Sequence, residues 1–320
     1  MKPLIEAFLK NVLWSGMVWW PIRLKAAVAR FLCRDEVFIK AHGRDLIADL
    51  APFCGIDGLR ANGQFGDILS SPADRTIFSV YASTGTWAQS TNSLFSNFFR
   101  ENHGGTYLDI GANIGLTTIP IAQLPDVQCI AFEPAPENFR NLQANVRANC
   151  DPGKVRTLQL ALFEREGELD FELSNYNLGD NRVRVGEAKL AEAEKTHVIR
   201  VPAMPLDALD LVGPGRALGV KIDTQGAEPF IIAGGRKTLS RAQLLVLEWC
   251  PYMIARMGGD PQVILQFLRE SFRIGSISRA EADSKGSQFL PIDEICDQLL
   301  GTISTQENNE NYYIDIIAVK

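Results

Sequence analysis

Acidic residues and glycines follow two short apolar runs of this sequence, at positions where their side chains could do chemistry. Asp109 precedes the bare loop "GANIG", which holds Gly111, Asn113 and Gly115. Glycines let a loop turn sharply and let a ligand approach the main chain. The next apolar run ends in Glu133, 24 residues beyond Asp109, where an acid can accept hydrogen bonds from two ribose hydroxyls. The pattern predicts a nucleoside ligand.

Three more carboxylates follow two later apolar runs. Asp223 comes directly after "LGVKI", Glu248 ends "LLVLE", and Glu228 lies in the first turn after "DTQG". Carboxylates at adjacent strand ends can raise one another's pKa, which suits a general base for a hydroxyl, and Asp223 is the first candidate. Alternatives are that Asp223 orients the cofactor, that Glu228 only favours a helix start, and that Lys221 pairs with one of these acids. The carboxylates have no recognised Mg²⁺ ligand spacing, so no metal is predicted.

Strands and helices alternate from Ser93 onward, which predicts a mostly parallel sheet of six or seven strands flanked by helices. Helices are predicted at "SLFSNFFREN", Leu116–Gln123 and Pro136–Asn149. Strands are predicted at "TYLDIG", "VQCIAFE", "VRTLQLAL", "ALGVKID", "QLLVLEW" and "NYYIDIIAV". Ligands of such sheets bind at the carboxyl ends of the strands, where Asp109 and Asp223 are expected.

The loop departs from the dinucleotide fingerprint G-x-G-x-x-G, because Asn113 and Leu116 stand where that pattern favours close packing of a pyrophosphate. An acid at the end of the first strand would repel a pyrophosphate and attract the α-amino group of S-adenosylmethionine. The residues therefore favour S-adenosylmethionine as the cofactor.

Six segments together resemble the FkbM-type S-adenosylmethionine-dependent methyltransferases over roughly Ser83 to Trp249. They are "YLDIGANIGLTTIPIA", "AFEPAPENFRNLQANV", "LALFEREGELDFELS", "VPAMPLDAL", "VKIDTQGAEPFIIAGG" and "LLVLEW". The resemblance implies a class I methyltransferase fold, which is α/β and Rossmann-like, and methylation of hydroxyl oxygens of sugars, glycans or polyketide-derived products.

The resemblance also assigns expected roles to individual residues. The methionine side of the cofactor would contact Asp109, Gly111, Asn113 and Gly115, and the ribose would contact Glu133, with Pro134 beside it. The adenine would lie near Ala161 and Leu162. Asp223, Gly226 and Glu228 match the second signature of the family.

Composition narrows the class of partner. The 320-residue chain is 46% hydrophobic and has a net charge of -6, which disfavours binding to nucleic acid. Its six cysteines show no C-x-x-C spacing, so neither a zinc site nor a disulfide framework is indicated and a cytoplasmic location is expected.

The sequence predicts an N-terminal arm and accessory segment over residues 1–92 and a methyltransferase domain over 93–320. The first 34 residues have a net charge of +5 and include Trp14, Trp19 and Trp20. This arm could lie peripherally on a membrane or dock on its own domain or on a second subunit of a homo-oligomer. Short strands are expected in the accessory segment, for example at "TIFSVYAS", and a flap over the acceptor is expected at residues 175–196.

The leading interpretation is an O-methyltransferase that acts on a saccharide, a glycan of polysaccharide biosynthesis or a small hydroxylated metabolite. Alternatives are a nucleic-acid or other N-methyltransferase and a catalytically silent cofactor-binding protein. The acidic core and the absence of an N-P-P-Y or D-P-P-Y turn disfavour the first alternative, and the complete set of cofactor residues disfavours the second.

Overall fold

The structure, a computed structural model, describes residues 55–174, 178–184, 197–278 and 288–320. The chain divides into two compact units, Met1–Leu59 and Arg60–Lys320, and nearly all described residues belong to the second. The tryptophan-bearing arm lies outside the described residues, so its membrane or subunit contacts stay predictions. Within the described ranges, no helix is long and apolar enough to cross a membrane.

The helices of the described residues are numbered in chain order. They are α1 (Ile77–Thr84), α2 (Gln89–Glu101), α3 (Thr118–Ala122), α4 (Pro136–Asn149), α5 (Glu228–Leu239), α6 (Pro251–Arg256), α7 (Pro261–Ser271) and α8 (Ile292–Gln306). The predicted bounds of α4 are confirmed, and its first residue is a proline, whose fixed φ favours the first helical turn.

The strands are numbered in the same way. They are β1 (Leu59–Gly63), β2 (Gly66–Ser70), β3 (Gly105–Ile110), β4 (Val127–Phe132), β5 (Val155–Leu158), β6 (Ala161–Leu162), β7 (Gly167–Leu173), β8 (Arg182–Arg184), β9 (His197–Met204), β10 (Leu218–Ile222), β11 (Leu244–Trp249), β12 (Ile274–Ser278), β13 (Leu290–Pro291) and β14 (Ile314–Val319).

The central sheet confirms the predicted fold class. In the part of the chain that is described it has eight strands, in the order β13-β12-β14-β11-β10-β3-β4-β5. The five strands from β11 to β5 pair in parallel, whereas β14 runs antiparallel between β11 and β12. The prediction of six or seven strands omitted β12 and β13, which lie at one end of the sheet.

Both faces of β3, β4, β10 and β11 are largely buried, which explains why their sequences are mostly apolar runs. On one face Phe95 and Phe99 of α2 contact Tyr107 of β3, with ring centroids 4.7 and 6.1 Å apart. The same rings leave no room for a side chain at Gly219, because a Cβ there would lie 3.0 to 3.1 Å from their carbons. The other face contributes β3 and β10 residues to the main apolar core, which also includes α5 and α7.

A second sheet was not predicted. Within the described residues it has four strands, in the order β6-β9-β7-β8. The run "VRTLQLAL" was predicted as one strand, but it divides into β5 and β6, because Ala161 and Leu162 pair with β9 instead of continuing along β4. The second sheet therefore begins directly after β5, which is an edge strand of the central sheet.

The prediction of a strand at "TIFSVYAS" is wrong, because this segment forms α1. Its apolar residues Phe78 and Tyr81 are three positions apart and both are buried, as one face of a helix requires. The Tyr81 hydroxyl donates to the Gly66 carbonyl at 2.7 Å and so anchors α1 to the hairpin of β1 and β2. Asn145 of α4 exchanges two hydrogen bonds with the backbone of Leu69, which attaches this hairpin to the central domain.

Candidate active site

The glycine loop after β3 is held between the ends of two neighbouring strands. The amides of Gly111 and Ala112 donate to the carbonyl of Phe132, at the end of β4, at 3.1 and 2.9 Å. On the other side, the amide of Asp223 donates to the carbonyl of Ile110 at 3.1 Å. Gly111 has φ +85°, and a Cβ there would overlap the Asp223 backbone oxygen. The loop therefore requires glycine at this position for both conformation and space.

Asp109 lies beneath this loop and is fully buried. Its Oδ2 atom accepts hydrogen bonds from the hydroxyls of Thr117 and Thr118 at 2.7 and 2.6 Å. Its Oδ1 atom is 3.6 Å from the ammonium of Lys221. The carboxylate therefore has an ammonium partner within the protein, and Asp109 is not among the residues that line the adjacent pocket.

Glu133 forms one wall of that pocket and is 4% exposed. Its Oε2 atom accepts from the amide of Asn113 and its Oε1 atom from the amide of Ala135, both at 2.9 Å. Burial raises the pKa of Glu133 to about 7 and outweighs these two hydrogen bonds, which favour the ionised form. The charge of Glu133 can therefore change near neutral pH.

The pocket has a volume of about 650 Å³ and lies at the carboxyl ends of the central strands. Of the predicted cofactor residues, six line it: Gly111, Asn113, Glu133, Pro134, Ala161 and Leu162. Its apolar wall includes Phe171 and Val183 of the second sheet. Gly115 is not among its lining residues; a Cβ at Gly115 would lie 2.9 Å from a methyl of Leu142, so this glycine makes room for α4.

Asp223 also lines the pocket, and its side chain is 41% exposed. Its Oδ2 atom lies 3.2 Å from the Lys221 ammonium, which is the same ammonium that approaches Asp109. Burial alone would lower the pKa of Lys221, but the charges of Asp223 and Asp109 outweigh it and hold this pKa above its ordinary value. Lys221 is therefore a permanent cation between the two acids.

Glu248 is brought close to Asp223 by the parallel pairing of β10 and β11. The side-chain amide of Gln225 donates to Asp223 Oδ1 at 3.2 Å and to Glu248 Oε2 at 3.0 Å, and so links the two carboxylates. Burial, together with the charge of Asp223, raises the pKa of Glu248 well above its ordinary value.

Glu228, the third predicted carboxylate, is turned toward its own loop. It is 1% exposed, and its Oε1 atom accepts from the amide and the hydroxyl of Thr224 at 2.9 and 2.8 Å. Burial raises its pKa to about 7. Glu228 thus stabilises the turn between β10 and α5 and does not line the pocket.

Two residues of this cluster were missed by the sequence analysis. Asp315 of β14 stands opposite Glu248 in the antiparallel pair, and burial, followed by the charge of Asp223, raises its pKa to about 6. Its signal was an acid within the otherwise apolar run "YIDIIAV". The signal of Gln225 was its place in "DTQG", where it adopts φ +59° and so directs its amide between two acids. Within the described ranges, no group of three His, Cys, Asp or Glu side chains could hold a metal ion.

Comparison with known proteins identifies the family. Residues 109–273 match the model of the methyltransferase FkbM domain, which is just over half of the chain. The chain belongs to the FkbM methyltransferase family. The family match includes the glycine loop, Glu133, Asp223 and Glu248.

Individual relatives share 30% or less of their sequence with this chain. The chain is 30% identical over 164 residues to the 2-O-methyltransferase NoeI of Sinorhizobium fredii, a match that covers 44% of this chain and 62% of NoeI. It therefore spans less than two thirds of that relative. Among solved structures, an O-methyltransferase from Bacillus cereus in complex with SAH has 12% identity and a TM-score of 0.38, with 76% of this chain and 89% of that chain covered. TYW2 of M. jannaschii in complex with AdoMet has 11% identity and a TM-score of 0.36, with 82% and 85% covered.

The residues of the pocket fit S-adenosylmethionine. Gly111 presents bare backbone, and Glu133 provides a buried carboxylate that can accept hydrogen bonds from hydroxyl groups. The Oδ1 atom of Asn113 is buried without a hydrogen-bond partner among the described residues, so it has an unused capacity to accept. The apolar side chains of Leu160 and Leu162 supply a surface for a purine ring.

Proposed function

We propose that this protein transfers a methyl group to a hydroxyl oxygen of a saccharide, a glycan or a small hydroxylated metabolite. The observation that carries the proposal is the partly exposed carboxylate of Asp223, which lines the pocket and is held by Lys221 and Gln225. A hydroxyl is a poor nucleophile and needs a positioned base. The name of the relative NoeI, a 2-O-methyltransferase, supports an oxygen acceptor.

The proposed cofactor contacts use the residues that line the pocket. Glu133 accepts hydrogen bonds from the ribose hydroxyls, and Ala161 and Leu162 pack against the adenine. Gly111 and Asn113 contact the methionine portion through the loop. S-adenosylmethionine supplies a methyl group that is activated by a positively charged sulfur. Asp109 shapes the loop from below, through its threonine hydrogen bonds and Lys221.

Asp223 removes the proton of the acceptor hydroxyl in this proposal. Gln225 donates to Asp223 Oδ1 and Lys221 lies beside Oδ2, so the carboxylate is held in one orientation. Burial and the charge of Asp223 raise the pKa of Glu248, which favours its protonated form and weakens its repulsion of Asp223. The role of Glu248 is to fix Gln225, and Glu228 fixes the turn that carries both Asp223 and Gln225.

The test is product analysis with a base variant. Purified protein and S-adenosylmethionine are incubated with a panel of free sugars, glycosides and hydroxylated metabolites, and methylated products are located by mass spectrometry and NMR. Asp223→Asn is expected to lower kcat by about 10²–10⁴-fold, the usual contribution of a positioned base. Its affinity for S-adenosylhomocysteine is measured in parallel, and a loss of affinity much smaller than the loss of kcat would separate the role of the base from cofactor binding.

Asp297→Asn is the matched control, because Asp297 is an exposed carboxylate on α8 that pairs with Arg269. It should transfer methyl groups at the wild-type rate. Methylation of nitrogen or carbon would refute the oxygen acceptor. Cofactor binding without methyl transfer to any acceptor of the panel would instead favour a silent binding protein.

A further inference from the structure

A second, smaller pocket lies next to the cofactor pocket and is rich in arginine. Its charged lining residues are Glu172, Arg182, Arg184 and Arg256. The two pockets share Gln225 and Val183 as lining residues. Gln225 is the residue that links Asp223 and Glu248. A group bound in the small pocket would therefore be separated from the proposed base by one side chain.

The arginines of the small pocket surround one carboxylate. Arg182 and Glu172 face each other across β7 and β8, with Arg182 Nε 3.2 Å from Glu172 Oε2, and both side chains are almost fully buried. Arg256 approaches the same oxygen at 3.4 Å, and Arg184 approaches Oε1 at 3.7 Å. Among the described lining residues, three guanidinium groups thus approach one carboxylate.

Arg184 and Arg256 retain access to solvent. Their side chains are 28% and 19% exposed, in contrast to 6% for Arg182. Partly desolvated guanidinium groups bind carboxylate and phosphate oxygens strongly, because they present several donors in a fixed plane.

The position of Arg256 relative to the proposed base is fixed by backbone packing. Arg256 is the last residue of α6, and α6 lies against the turn after β10. A Cβ at Gly226 would lie 2.5 Å from the carbonyl oxygen of Met253, so the turn and α6 are in direct contact. The backbone contact therefore holds the arginine next to Gln225.

We propose that this pocket, defined by Arg184, Arg256 and the Arg182–Glu172 pair, binds an anionic group of the methyl acceptor. The inference rests on the proposed function, and it adds that the acceptor is a phosphorylated or carboxylated sugar or metabolite rather than a neutral one. The anion enters between Arg184 and Arg256, and the hydroxyl to be methylated extends past Gln225 to Asp223.

The test is a binding experiment on the full chain saturated with S-adenosylhomocysteine. Glucose 1-phosphate, glucuronate, inorganic phosphate and neutral glucose are titrated separately by calorimetry. The anions should bind and glucose should bind at least about tenfold more weakly, since a charged hydrogen bond contributes about 1.5 kcal/mol or more. A preference for glucose 1-phosphate or for glucuronate separates a phosphate from a carboxylate acceptor.

Substitutions in the pocket should change the affinity for anions in opposite directions. Arg256→Gln should weaken anion binding about tenfold. Glu172→Gln should strengthen it, because the competing carboxylate is removed while the side chain keeps its shape; a cluster with only a structural role would not produce this increase. Arg200→Gln is the charge-matched control, since Arg200 is 73% exposed and pairs with Glu168 and Asp170 at the surface, and it should leave anion binding unchanged. Arg184→Gln replaces Arg256→Gln if the latter fails to fold, and the same tenfold weakening is expected.

Equal affinities for the anions and for glucose, or equal effects of Arg256→Gln and Arg200→Gln, would overturn the inference. These outcomes are distinct from failure of the proposed function. Failure of the wild type to bind S-adenosylhomocysteine, or methylation of an atom other than oxygen, would overturn the proposed function.

Discussion

The pH dependence of cofactor binding should report the ionisation of Glu133. Burial raises the pKa of this carboxyl to about 7 in the free protein. Ribose hydroxyls are hydrogen-bond donors to a carboxylate, so the proposed contact favours ionised Glu133. Binding should therefore ionise this residue and become tighter as the pH rises through 7.

The size of the effect follows from the fraction of protein that is competent to bind. With a pKa of about 7, Glu133 is about 10% ionised at pH 6 and about 90% ionised at pH 8, and the apparent Kd varies inversely with this fraction. S-adenosylhomocysteine should thus bind about tenfold more tightly at pH 8 than at pH 6. At pH 7 each binding event should release about half a proton, because half of the Glu133 side chains must ionise.

Calorimetry in buffers of different ionisation enthalpy measures both quantities. Glu133→Gln should bind more weakly and lose both the pH dependence and the proton release. Glu228→Gln is the matched control, because Glu228 also has a pKa of about 7 but is bonded to Thr224 and does not line the pocket. It should retain the wild-type dependence. A wild-type affinity that is constant from pH 6 to pH 8, or a dependence that persists in Glu133→Gln, would refute the assignment of Glu133 to the ribose.

Three further predictions concern stability, and all are measured by urea unfolding. Gly111→Ala should destabilise the protein more than Gly153→Ala, because Gly153 has nearly the same positive φ but no atom within 4 Å of a Cβ at that position. We expect about 1–2 kcal/mol of backbone strain in both variants and about 1–3 kcal/mol more at Gly111. Equal losses of unfolding free energy would contradict the overlap with Asp223. Thr302→Val should cost about 1–3 kcal/mol, because the buried Trp249 indole N–H donates to this hydroxyl at 2.9 Å, whereas Thr305→Val at an exposed position should cost less than about 0.5 kcal/mol. A similar loss in both would show that the indole bond contributes nothing. Because the folded-state pKa of Glu228 is raised from 4.5 to about 7, its contribution is fully present below pH 4.5 and is lost as the pH rises through 7; Glu228→Gln should therefore reduce the decline in unfolding free energy between pH 5 and pH 8 by about 3 kcal/mol, and an unchanged decline would contradict the raised pKa.

The parallel strands could be predicted well because each one is marked by its own run of apolar residues. Strands buried on both faces must be apolar throughout, and β3, β4, β10 and β11 each appear as such a run before an acid or a turn. The acids at their ends follow from the same rule, because parallel strands end at one edge. Glu133, Asp223 and Glu248 could therefore be expected near one another before the structure was known.

The second sheet and the arginine pocket could not be predicted in this way. The strands β7 and β9 are both partly exposed, and β7 carries three acidic residues, so neither has the continuous apolar sequence of a strand in the central sheet. The pairing of Glu172 with Arg182 depends on the register of β7 and β8, and Arg256 joins them from a helix 74 residues beyond Arg182. Such long-range contacts leave no periodic signal in the sequence.

The role of Asp109 illustrates a different limit. An acid after the first strand was expected to meet the ammonium group of the cofactor, but its nearest cation is Lys221 of the neighbouring strand. A lysine inside an apolar run is compatible with a snorkelling edge residue, and only the register of β3 and β10, which sets Lys221 beside Asp109, reveals the pair.

Lys221 couples the effects of mutations at the cofactor loop to those at the acceptor side of the site. One ammonium lies beside both Asp109 beneath the cofactor loop and Asp223 at the acceptor side, so removal of any one of the three charges changes the electrostatic environment of the other two. Their substitutions should not be additive, in contrast to changes at distant sites. For protein design this means that the acceptor base cannot be replaced independently of the cofactor loop. A new base must either keep its negative charge or be introduced together with a neutral residue in place of Lys221.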